Sequence, residues 1–123
     1  MEMRTHDTAH TQAVEAAAAF LSGKGYAVLE KHWKCGADQV DIVAQDADTM
    51  VFVKVSELGP DSCFGFTDRP DEDDSERYSR VAQRYMACRG RWAESRLDRV
   101  LVFVDGDRTR VVEHRKGFQN SDF

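Results

Sequence analysis

The chain has 123 residues, with 17 Lys+Arg against 22 Asp+Glu, 41% hydrophobic and 32% charged residues, and a net charge of -5. That length and apolar content suit one domain with its own core, and exclude a disordered chain or a helical membrane span. The acidic balance argues against a protein built mainly to hold nucleic acid.

The first element is a helix over about 11–22, where Val14, Ala17, Ala18 and Leu21 recur at helical spacing in an alanine-rich run and Gly23-Lys-Gly25 supplies the stop. Residues 26–34 (YAVLEKHWK) read as a strand turning through Cys35-Gly36-Ala37-Asp38, and Val40, Ile42 and Ala44 alternate with Asp41, Val43 and Gln45 in a second strand. Asp46-Ala-Asp-Thr49 is turn chemistry, followed by a third strand over 50–56 (MVFVKVS) whose apolar run predicts burial on both faces. Residues 57–74 form a long loop holding both prolines. Tyr78, Val81, Ala82 and Tyr85 then stripe a helix over about 75–89, with Asp73 and Glu76 as a capping pair. Strands over 97–104 and 109–114, joined through Asp105-Gly-Asp107, complete the order αβββαββ. The expected fold is α/β: a mixed sheet of about five strands flanked by helices. It spans 11–118 as one domain, with 1–10 a flexible lead-in and 119–123 a polar tail.

Charge is distributed unevenly. Residues 57–76 carry 8 acidic and 1 basic side chain, whereas 77–123 carry 11 basic and 6 acidic. Three cysteines, Cys35, Cys63 and Cys88, lie far apart without a CxxC pair, which argues against a disulfide framework and a structural zinc site. Residues 1–7 show no secretory apolar core, so a cytoplasmic location is expected.

A hairpin turning at Ala47-Asp48 opposes residues whose numbers sum to 95, and directly opposed side chains share a face. That pairing sets Asp41 against Lys54 and Gln39 against Ser56. The four make a polar quartet on a sheet whose other face is Val40, Ile42, Val53 and Val55.

The ordered stretches Lys24–Lys34, Gln39-Val-Asp-Ile-Val-Ala-Gln-Asp46, Met50-Val-Phe-Val-Lys-Val-Ser56, Cys63-Phe-Gly-Phe66 and Arg96-Leu-Asp-Arg-Val-Leu-Val102, with His114 and Phe118, resemble the YraN-like family. That family is related to Holliday-junction resolvases in the restriction-endonuclease-like, PD-(D/E)xK superfamily. The resemblance implies that fold and a DNA endonuclease site in which an aspartate and a glutamate hold a divalent metal while a lysine orients the nucleophile. Asp41 keeps the metal aspartate position. Lys54 replaces the metal glutamate, Ser56 the lysine, Gln39 a preceding glutamate, and the glutamate of the first helix aligns with Val14, leaving Glu15 one position away.

Lysine has three donors and no acceptor, so it cannot take the place of a carboxylate ligand to a hard cation. The expectation is therefore no metal (Asp41 being the one retained ligand position), no cofactor, and an Asp41–Lys54 ion pair in the metal's place. Glu57 is a replacement ligand only if a bulge brings it to the face of Asp41. Arg77, Arg80 and Arg84 share a helix face and are candidate phosphate contacts, against the alternative of a solvated face. Trp33 and Trp92 read as core aromatics, and His6 and His10 as part of the frayed start.

Three readings follow. The favoured one is a catalytically silent nuclease-like protein that keeps the scaffold and serves as a nucleic-acid-associated or interaction module. The second is a Mg²⁺-dependent DNA endonuclease with relocated ligands such as Glu15, Asp41 and Glu57. The third is a protein-binding module using the acidic loop. No membrane association is expected, and the oligomeric state is left open.

Overall fold

The structure, a computed structural model, describes residues 5–59, 72–90 and 94–117. Its elements run α1 (Thr5–Gly23), β1 (Ala27–Cys35), β2 (Asp38–Asp46), β3 (Thr49–Leu58), α2 (Glu72–Arg89), β4 (Ser95–Asp105) and β5 (Arg108–Arg115). The sheet has five strands in the order β1-β2-β3-β4-β5. Only β3 and β4 pair parallel, bridged by α2, as a strand–helix–strand unit requires. This αβββαββ architecture is consistent with the restriction-endonuclease-like fold.

The helix stripes decide which sheet face each helix covers. On α1, Ala13, Val14, Ala17, Ala18 and Leu21 are buried and pack on Ile42, Ala44, Val51, Val53, Val55, Val100, Val102 and Val104. On α2, Tyr78, Val81, Ala82, Tyr85 and Met86 pack on Val43, Met50, Phe52 and Leu97. Met50 through Val53 are thus buried from both sides, as a central strand demands. Gly25, at φ +99°, lets the chain leave α1 while the Tyr26 N–H returns to the Leu21 carbonyl at 3.0 Å.

The hairpin register is the predicted one: Asp46 pairs with Thr49, and Ile42 with Val53. Three details differ from expectation. Helix α1 begins at Thr5, which draws residues 5–10 out of the expected lead-in. Helix α2 begins at Glu72, so Asp73 lies inside it rather than before it. Val40 packs with the α2 cluster, not with Ile42 on the α1 side. Strand β2 therefore turns over between Val40 and Ile42, which breaks the alternation the quartet rested on. No described helix is long and apolar enough to cross a membrane.

Candidate functional site

The ladder between β2 and β3 ends at Ile42–Val53, and the next polar event is a side chain. The Val55 N–H donates to Asp41 Oδ2 at 2.8 Å instead of to a backbone carbonyl of β2. Asp41 Oδ1 lies 2.9 Å from His10 Nε2, and the other ring nitrogen of His10 lies 2.9 Å from Glu57 Oε1. One imidazole from α1 thus spans two carboxylates from β2 and β3. Only the imidazolium has N–H donors on both nitrogens, so the geometry favours the protonated ring. Burial pulls the His10 pKa down, but the hydrogen bonds and charges of Glu57 and Asp41 outweigh it and hold the pKa above the usual imidazole value.

Sequence reasoning did not foresee these two contacts to Asp41, from His10 and from the Val55 amide. Glu57 joins Asp41 on the α1 side because β2 turns over, with no bulge needed in β3. His10, set aside as part of a frayed start, was legible after all. It lies four residues before Val14 and continues the Val14–Ala17–Leu21 stripe one turn back.

Lys54 lies on the other side of the turn-over. With Gln39, Asp41, Phe52, Leu97, and Arg77 and Tyr78 of α2, it lines a cavity of about 160 Å³. In the parallel register Lys54 pairs with Arg99 and Ser56 with Leu101. Ser56 follows Lys54 by two and so shares its face.

The three α2 arginines divide. Arg77 lines the cavity, whereas Arg80 Nε donates to both carboxylate oxygens of Asp38 at 3.2 Å and Arg84 Nε lies 3.6 Å from Asp38 Oδ2. Arg80 and Arg84 therefore tie α2 to the start of β2. Glu15 pairs with Lys31 at 2.9 Å in an exposed contact. Trp33 packs edge-on against Tyr85 at 5.2 Å, a core contact as expected. Cys35 and Cys88 are free thiols. Trp92, Cys63, Phe66, Phe118 and most of the acidic loop lie outside the described residues.

A second polar cluster was missed in the sequence. Asp98, fully buried, accepts from Arg96 Nε at 2.8 Å, the Gly117 N–H at 2.9 Å and Tyr26 Oη at 3.4 Å, with His114 Nε2 at 2.8 Å. Burial pushes this carboxyl up, but the Arg96, Gly117 and His114 hydrogen bonds prevail and hold it below the usual carboxylate range. Burial and the Asp98 charge push Tyr26 up to about 12. Every oxygen of Asp98 is satisfied, and the cluster joins β4 and β5 to the α1–β1 junction.

The residues present do not fit the divalent cation of the nuclease site. Lys54 supplies no oxygen at the glutamate position. Asp41 and Glu57 sit on opposite edges of the His10 ring, and among the described residues no three His, Cys, Asp or Glu side chains are grouped to hold a metal.

Comparison with known proteins places the chain in a family. Residues 14–102 match the model of a family described as "Uncharacterised protein family UPF0102". The chain is similar to a UPF0102 protein of Beutenbergia cavernae, with 32% identity over 120 residues covering 94% of this chain and 98% of the relative. A Streptomyces coelicolor relative is 34% identical over 104 residues (82% of this chain, 80% of that protein). One from Stutzerimonas stutzeri is 29% identical over 102 residues, covering 81% and 85%.

Proposed function

Because the chain belongs to the UPF0102 family, the YraN-like family, we propose that it is a nuclease-like member that holds nucleic acid through the inherited site without cutting it. The observation that carries this reading is the residue set itself, with Lys54, Ser56 and Gln39 where the superfamily has a glutamate, a lysine and a glutamate. Where the superfamily gathers carboxylates around a cation, this chain has Lys54 and Arg77 among the residues that line a cavity together with Asp41. Asp41 meanwhile is engaged by His10. A cationic wall attracts a phosphate directly, but it neither polarises one through a metal nor generates hydroxide. The acidic total of the chain does not oppose this, because binding follows local potential and the basic residues concentrate after residue 76.

Incubation of clean protein with single-stranded, duplex and branched DNA in Mg²⁺ or Mn²⁺ is expected to leave every substrate intact. Calorimetric titration is expected to give no saturable metal binding that depends on Asp41. Metal-dependent cleavage abolished by Asp41→Ala would overturn the proposal in favour of an endonuclease with relocated ligands.

A further inference from the structure

The buried Asp98 cluster reaches the surface through Lys24. This residue follows α1, and its backbone N–H donates to the Phe20 and Leu21 carbonyls at 3.1 and 3.0 Å, which fixes it at the helix end. Its side chain is exposed, and Nζ lies 3.1 Å from His114 Nδ1. The other ring nitrogen, Nε2, lies 2.8 Å from Asp98 Oδ2, with the His114 side chain 4% exposed and that of Asp98 fully buried. Phe20 meets the imidazole edge-on at 5.9 Å, and its ring centroid lies 5.1 Å from Nζ, so one aromatic side chain holds amine and imidazole together.

The hydrogens along this line are constrained. The Asp98 carboxyl is held below the usual carboxylate range and accepts only, so His114 Nε2 carries the N–H. An ammonium has donors and no acceptor, so Nδ1 presents its lone pair to Lys24. When Lys24 gives one proton to water, the amine still donates an N–H to Nδ1 while its own lone pair faces outward. A nucleophile within hydrogen-bond reach of a base, and a base oriented by a buried carboxylate, is the arrangement that acyl transfer uses, here with an amine in place of a hydroxyl.

We propose that Lys24 is a site of covalent acylation by small activated acyl donors, acyl phosphates or acyl thioesters, with His114 as its base and Asp98 as the carboxylate that orients the ring. The amine lone pair forms the C–N bond to the acyl carbon. The bond from that carbon to the phosphate oxygen or thiol sulfur breaks, and the leaving group keeps its electron pair. His114 Nδ1 takes one of the two protons the nitrogen then carries, Asp98 stabilises the imidazolium, and the ring returns the proton to water. The amide product keeps one N–H to donate to Nδ1, while the positive charge of Lys24 is gone. No residue around Asp41 takes part, so the proposal stands apart from the nucleic-acid reading.

The test treats folded wild type at neutral pH with acetyl phosphate or with a small acetyl thioester, and reads the acetylation rate of each lysine by peptide mass spectrometry. Lys34 and Lys116, both exposed, are the comparators. General-base assistance typically contributes about 10²–10⁴-fold, and for an amine open to water Lys24 is expected to react about tenfold faster than either comparator. With either donor such an excess supports the site, and the donor that gives it identifies the leaving group. The excess should vanish in urea-unfolded protein. It should also vanish in His114→Gln, whose amide offers a donor to Asp98 and an acceptor to Lys24 but takes up no proton. Equal rates at the three lysines of the folded wild type with both donors overturn the proposal. An excess that persists in urea, or in a folded His114→Gln, overturns it as well.

Discussion

His10→Ala tests the placement of the α1 histidine between two acids. Wild-type His10 contributes two carboxylate contacts of 2.9 Å, from a ring 35% exposed to partners 18% and 27% exposed. Hydrogen bonds involving charged groups contribute about 1.5–3 kcal/mol each when buried, and exposed ion pairs about 0.2–1 kcal/mol. With all three groups partly in water, the sum for the pair is discounted to about 1–2 kcal/mol at a pH where the ring is charged. For a domain of this size that is a Tm loss of roughly 4–8 °C.

The pH dependence supplies the sharper test. Folded His10 holds its proton more tightly than unfolded His10 because Glu57 and Asp41 outweigh its burial. Its contribution is therefore complete below the unfolded value near 6.5 and is lost as pH rises through the raised folded value. Above that, a neutral ring donates to one carboxylate and turns a lone pair toward the other. Thermal melts of wild type and His10→Ala at pH 5.5 and 9 should give a Tm gap that is wide at the lower pH and narrow at the higher. A gap of equal size at both, or one wider at pH 9, refutes the bridging role.

Other consequences are open to measurement. Asp98→Asn replaces a fully buried carboxylate bound by Arg96 and should cost about 3 kcal/mol, read as a lower urea midpoint with unchanged slope. Asp46→Asn, at the exposed end of the same arginine, should cost under about 1 kcal/mol. Because the Asp98 carboxyl is held low, its contribution is present above the unfolded carboxylate value and disappears as pH falls through the folded one. Acid titration of the wild type should accordingly lose stability below about pH 4, and Asp98→Asn should lose less there. The double substitution Lys54→Glu with Ser56→Lys restores the superfamily residues on the α2 face but leaves Asp41 with His10. Its gain in Mg²⁺ affinity by calorimetry should be small, and should grow when His10→Ala is added.

Much of the scaffold was legible because it rests on short-range rules. Periodicities of two and 3.6 residues mark which face each element buries, and turn chemistry at Asp46–Thr49 and Asp105–Asp107 sets two hairpins. The register that opposes Asp46 to Thr49 followed from loop length alone, and it held for as long as the strands stayed paired. The departures at 39, 54 and 56 are equally local, since residue identity by itself removes the carboxylate and the lysine that metal-assisted cleavage uses.

What the tertiary structure decided is which partner each charge finds. Strand alternation predicted Val40 and Ile42 on one face, but a backbone amide can satisfy itself with a side chain as well as with a carbonyl. Asp41 took the Val55 amide, and the strand turned over there. That turn carried Asp41 toward a histidine 31 positions away, and a contact at such separation leaves no periodic trace in the sequence. The Asp98 cluster has the same origin, drawing on Tyr26, Arg96, His114 and Gly117 from distant stretches of chain. The sequence determined that this scaffold lacks the usual ligand set. Only the fold determined that Lys54, Arg77 and Asp41 line one cavity while His10, its pKa raised by two carboxylates, engages that aspartate.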